Sequence, residues 1–127
     1  MGGVSGIGID AVELPRFRRV LERRPKIVGR VFTAGEQAYA ETAADAAPHL
    51  AARFAAKEAV LKALGVGIGA VGWRDIEVVR TTAGAPSLVV RGRAAALAEQ
   101  RGIVRWHVSL SHTDTVAVAS VVAEAGG

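Results

Sequence analysis

No cysteine occurs among the 127 residues, which excludes a disulfide framework, a thiolate nucleophile and a zinc–thiolate site together. Aromatic residues are scarce as well, with two Trp, one Tyr and three Phe, and only Phe17 falls in the most basic stretch of the chain. A stacking platform for single-stranded nucleic acid is therefore not expected, and nucleic acid is not a predicted partner. No apolar run approaches the ~18 residues that cross a bilayer. The amino terminus has no basic flank ahead of its short apolar stretch, so it does not read as a secretory signal. A cytoplasmic protein with no membrane partner is the expectation.

Half of the residues are hydrophobic and 22% are charged, which suits one globular domain over residues 1–127 and argues against disorder. The net charge of +4 is concentrated at one end. The first 30 residues hold seven basic side chains (Arg16, Arg18, Arg19, Arg23, Arg24, Lys26 and Arg30) against Asp10, Glu13 and Glu22. The remaining 97 residues are balanced at nine of each sign. The amino-terminal segment is thus a candidate docking surface for something acidic, although each arginine alone could be part of a solvated helix face.

Val4 to Ile9 reads as a strand delivering Asp10 at its carboxyl end. Pro15 then starts a helix whose buried stripe is Phe17, Val20 and Leu21, leaving Arg16, Arg19 and Arg23 on the opposite face. Thr33 with Glu36 three residues later predicts a capping box at the head of a second helix. Pro48 opens the strongest helical pattern, His49 to Leu64, stopped by Gly65. Strands over 75–81 and 88–90 flank turn residues Ala83 to Pro86 and predict a hairpin. A helix over 94–101 and strands over 106–110 and 116–122 complete the chain. Helices gathered early and strands joined by hairpins predict an α+β fold, an antiparallel or mixed sheet with helices packed on it. Gly67 to Gly72 spells the dinucleotide fingerprint, but a helix precedes it and a strand follows, so that reading is rejected.

Three groups of residues could carry chemistry. Glu58 and Lys62 lie one turn apart on the long helix, an ordinary ion pair by spacing alone. Asp10 at a strand end and Glu58 on a helix could instead share a hard cation, as magnesium is held by one or two carboxylates plus phosphates and waters, with Lys62 facing a phosphate. Arg53 could reach another phosphate on this subunit or a neighbour. His112 has two readings: a buried structural histidine alongside Val108 and Leu110, or a group at a loop mouth beside Ser111 and Thr113, suited to phosphate or adenine. No Gly-x-Ser-x-Gly elbow marks an activated serine.

Gly6-Ile7-Gly8-Ile9-Asp10, Arg16, Phe32-Thr33 with Glu36, Arg53-Phe54-Ala55-Ala56-Lys57-Glu58-Ala59 with Lys62-Ala63-Leu64-Gly65, Trp73 to Val78 and Val108 to Thr113 occur in an order that resembles the holo-acyl-carrier-protein synthases, the small bacterial class of 4'-phosphopantetheinyl transferases. The resemblance runs from about Gly6 to about Val122. It implies transfer of 4'-phosphopantetheine from coenzyme A to a serine of an apo acyl carrier protein. By position it assigns Asp10 and Glu58 to magnesium, Lys62 to charge neutralisation and Glu58 to accepting the serine proton. It assigns Arg53, Lys62, Pro86, Ser111, His112 and Thr113 to the nucleotide, and Arg16, Arg19 and Arg23 to the carrier. It also implies a homotrimer with sites between subunits. The alternatives are a domain that binds coenzyme A without turnover and a basic adaptor for an acidic protein; neither needs Asp10, Glu58 and Lys62 for catalysis.

Overall fold

In a computed structural model of the protein, which describes residues 2–81 and 83–127, strand β1 (Gly3–Glu13) runs straight into helix α1 (Leu14–Arg23). Three helices follow: α2 (Ile27–Val31), α3 (Ala34–Glu41) and the long α4 (Ala47–Leu64). A short 3₁₀ turn, Trp73–Asp75, leads to strands β2 (Ile76–Arg80) and β3 (Pro86–Val90), then helix α5 (Gly92–Gln100) and strands β4 (Ile103–His112) and β5 (Val116–Ala125). Strands β1, β5 and β4 form an antiparallel sheet in that order, and β2 and β3 a separate antiparallel hairpin. The α+β expectation and the hairpin are borne out.

Helix α4 lies across one face of the three-stranded sheet, and the sequence of both partners explains how closely. Ala117, Ala119, Val121 and Ala123 of β5 point into the core, as do Ala51, Ala55, Ala56, Ala59 and Val60 of α4. Small side chains on both surfaces let the backbones approach. On β1 even a methyl group is too much: a Cβ built on Gly8 would overlap the Ala59 carbonyl oxygen, and one on Gly6 the Ala63 carbonyl. Gly8→Ala is therefore expected to cost about 1–3 kcal/mol in urea unfolding, as overpacking does. Gly3→Ala, whose Cβ would meet open space, should stay within about 0.5 kcal/mol. The helix ends in a Schellman arrangement at Gly65, φ 72°, with its N–H on the Lys62 carbonyl and that of Val66 on Leu61.

Several boundaries differ from expectation. Strand β1 runs three residues past Asp10, because its pairing with β5 continues to Glu13–Val116. Asp10 therefore sits within the strand rather than at its end. Val20 is 37% exposed and does not join the buried stripe of α1, which is anchored by Leu14.

A buried polar network holds α3, α4 and β2 together. The predicted capping box forms, with Glu36 N–H on Thr33 Oγ1 at 3.2 Å and Thr33 N–H on Glu36 Oε1 at 2.9 Å. Glu36 is also fully buried. Its Oε1 meets Lys57 Nζ at 2.8 Å, and its Oε2 accepts Val78 N–H at 2.9 Å. The Lys57 ammonium donates in addition to the carbonyls of Trp73 and Ile76, so all three of its protons have acceptors.

Candidate active site

Two clusters of polar side chains flank α4. The first forms where β1, α1 and α4 meet, around a cavity of about 350 Å³ lined by Asp10, Glu13, Arg16, Phe17, Val20, Phe54 and Glu58. Asp10 and Glu58 reach it from separate elements. Burial first, and then the charge of Asp10, pushes the Glu58 carboxyl above the usual range, partly offset by Lys62. The local Glu58–Lys62 pair suggested by spacing is not made. Lys62 turns to β1, where its Nζ donates to the Ile9 carbonyl at 2.8 Å and to Asp10 Oδ1 at 3.1 Å. None of the ion pairs among the described residues includes Glu58.

Two carboxylates face one cavity, and Glu58 has no cationic partner of its own among the described residues. No group of three or more histidine, aspartate or glutamate side chains suited to a metal occurs among the described residues. This fits an ion such as magnesium that takes most of its oxygens from phosphate and water, and does not fit an all-protein cage.

The second cluster lies on the other flank of α4. His49 and Glu58 are about two and a half helical turns apart and so occupy opposite sides of the helix. The His49 ring meets His112 edge-on at 5.9 Å and Tyr39 at 5.6 Å, while the Arg53 guanidinium stacks 4.3 Å above the Tyr39 ring and that of Arg80 lies at 5.5 Å. Arg53 is only 1% exposed. Its Nη1 donates to the His49 carbonyl at 3.2 Å, and its buried Nε has no hydrogen-bond partner among the described residues. Burial, then the positive charges of Arg53, His112 and Arg80, lower the pKa of His49.

Apart from His112, which meets His49, the remaining nucleotide candidates scatter. His112 ends β4 and keeps the helix-facing orientation of Val108 and Leu110, yet it is exposed, so the buried histidine reading is corrected. Alternation sends Ser111 to the opposite sheet face. The Thr113 hydroxyl accepts the N–H groups of Thr115 and Val116 at 3.2 Å and thereby closes the β4–β5 turn. Pro86 opens β3, paired with Arg80. On α1, Arg16, Arg19 and Arg23 are exposed together, whereas Arg18 turns away to Asp45 with contacts of 2.6 and 3.0 Å. Arg16 also lines the carboxylate cavity, which places the basic face beside the first cluster.

The sequence profile of the 4'-phosphopantetheinyl transferase superfamily matches residues 6–121, and the chain belongs to that superfamily. Within it the similarity is to the holo-acyl-carrier-protein synthases. Those of Koribacter versatilis and Frankia casuarinae are 46% and 50% identical, each over 95% of this chain and 98% of the relative. A crystal structure of the Bacillus anthracis holo-acyl-carrier-protein synthase in complex with coenzyme A (3',5'-ADP) superposes with a TM-score of 0.81 at 36% identity, covering 97% of this chain and 98% of that one.

Proposed function

We propose that the protein transfers 4'-phosphopantetheine from coenzyme A to a serine hydroxyl of an apo acyl carrier protein, releasing adenosine 3',5'-bisphosphate. The observation that carries this is the convergence of Asp10, Glu58 and Arg16 on one cavity, with Lys62 beside it, in a chain of this superfamily. Asp10 and Glu58 would hold magnesium, which supplies charge neutralisation on the coenzyme A pyrophosphate and polarises the phosphorus under attack. Glu58 accepts the serine proton, directly or through a water. A bond forms from the serine oxygen to the phosphorus next to pantetheine, and the phosphorus–oxygen bond to the bisphosphate breaks. Lys62 stabilises charge on the transferred phosphate and on the leaving group.

Arg53, Pro86, Ser111, His112 and Thr113 would serve the nucleotide, with the unpartnered Arg53 Nε and the surrounding cations favouring an anion. Because Arg53 and His112 flank α4 on the side away from Asp10 and Glu58, one chain does not bring the two clusters together. A site between subunits of a homotrimer joins one chain's carboxylates to its neighbour's nucleotide group. The sheet face opposite α4 is available for such assembly, with Ile7 69% and Ile9 67% exposed. Ile9→Glu should then reduce the mass seen by light scattering from trimer to monomer and abolish turnover together; a monomeric wild type would contradict the trimer.

The acidic partner meets α1, where Val20 lies exposed among Arg16, Arg19 and Arg23. Reversal of Arg16 and Arg23 to Glu should raise KM for the carrier roughly tenfold or more while leaving coenzyme A binding intact. Unchanged KM would remove the docking surface. Release of adenosine 3',5'-bisphosphate only when apo carrier is present separates the transferase from a domain that merely binds coenzyme A. A cytoplasmic location is part of this reading; among the described residues no helix is long and apolar enough to cross a membrane.

A further inference from the structure

Lys62 holds the carboxylate to which a cation is assigned. Its ammonium meets Asp10 Oδ1 at 3.1 Å and is fixed a second time by the Ile9 carbonyl at 2.8 Å. The Asp10 side chain is only 15% exposed, so water offers it little compensation, whereas that of Lys62 is 53% exposed and free to swing outward on its flexible stem. Glu58, the other carboxylate of the cavity, has no such partner among the described residues.

An ammonium and a divalent ion cannot both sit against Asp10 Oδ1 without strong repulsion at such short range. We propose that Lys62 is the internal counter-ion of the metal-free site, that the divalent cation enters by displacing it from Asp10, and that this displacement is what delivers the ammonium to the coenzyme A pyrophosphate. The inference rests on the reading of Asp10 and Glu58 as a cation-binding pair. Two consequences follow from linkage. Lys62 weakens metal binding to the free protein, and coenzyme A strengthens it, because the pyrophosphate gives the displaced ammonium a new partner.

The chain has only three lysines, Lys26, Lys57 and Lys62, so a lysine-labelled sample gives three resolvable side-chain signals by NMR. Magnesium added without coenzyme A is expected to shift the Lys62 signal saturably, while Lys57, sealed against Glu36, and Lys26 stay in place. Manganese affinity of the free protein, read by electron paramagnetic resonance, should tighten roughly three- to tenfold in Lys62→Met and stay within about twofold in Lys62→Arg, which keeps a cation for Asp10. Arg16→Met removes a positive charge from the same cavity without touching Asp10, and should tighten binding less. Manganese binding detectable only in Lys62→Met is the extreme form of the expected result.

Manganese binding that Asp10→Asn abolishes but Lys62→Met leaves unchanged or weakens would overturn the displacement and spare the cation pair. Equal tightening in Arg16→Met would show general charge repulsion in place of occupancy, and would also overturn it. No divalent binding by wild type or any variant would overturn both readings.

Discussion

Glu58→Gln is expected to lower kcat for carrier modification by at least about a hundredfold, the low end of what a positioned proton acceptor and its metal-ligating charge contribute. The substitution is nearly isosteric, and Glu58 makes no ion pair among the described residues, so its removal leaves no partner stranded. It also relieves the mutual repulsion that, after burial, raises the Glu58 pKa. The thermal midpoint should therefore hold or rise slightly while turnover collapses. Kinetics and thermal unfolding on one preparation decide it: retained turnover removes Glu58 from the chemistry, and a large loss of midpoint would make its role structural.

The second large effect is expected next door and in the opposite sense. Glu36→Ala strips the buried Lys57 ammonium of its counter-charge and removes the acceptors of Thr33 N–H and Val78 N–H. Breaking one side of a buried pair costs about 3–5 kcal/mol, a large part of the ~5–15 kcal/mol that holds a domain together. Urea unfolding at fixed protein concentration should show this loss. Lys57→Met should cost less, because the Glu36 carboxylate, though it loses the ammonium along with the Trp73 and Ile76 carbonyls, keeps the Thr33 and Val78 N–H donors. Equal or smaller loss in Glu36→Ala would mean that the pair is not what joins α3, α4 and β2.

The contrast between Lys57 and Lys62 shows which parts of the molecule were legible in the sequence. Helix α4 announced itself through Pro48, the alanines and Gly65, and the Thr33–Glu36 cap through spacing, because these are local rules. Glu36 was legible only as a cap; its second oxygen serves β2, and no local pattern discloses a bond across 42 residues. A signal did exist for Lys57. It lies among Ala55, Ala56, Ala59 and Val60, all buried, and a lysine surrounded on a helix by core positions requires a buried acceptor. For Lys62 the i,i+4 rule points to Glu58 as an ion-pair partner, but burial of Asp10 makes the distant carboxylate the stronger claimant. The convergence of Asp10 and Glu58 on one cavity has its geometric cause in the Gly6 and Gly8 pair that lets α4 lie directly on β1.

The separation of the two polar clusters within one chain was not legible in any local pattern. It depends on sheet order: Asp10 aligns with Ala119, and Ala119 with Leu110, which puts β1 and β4 on opposite edges with β5 between them. Arg53 likewise reads as a free cation in the sequence, whereas Tyr39 from α3 covers it in the fold.

The most direct measurement is the intact mass of an apo acyl carrier protein incubated with this protein, coenzyme A and magnesium, with and without a chelator. A gain of ~340 Da on the carrier, abolished by chelator and restored by excess magnesium, is the expected result of metal-dependent phosphopantetheine transfer. An unchanged carrier mass, with a folded protein that still binds coenzyme A, would contradict it.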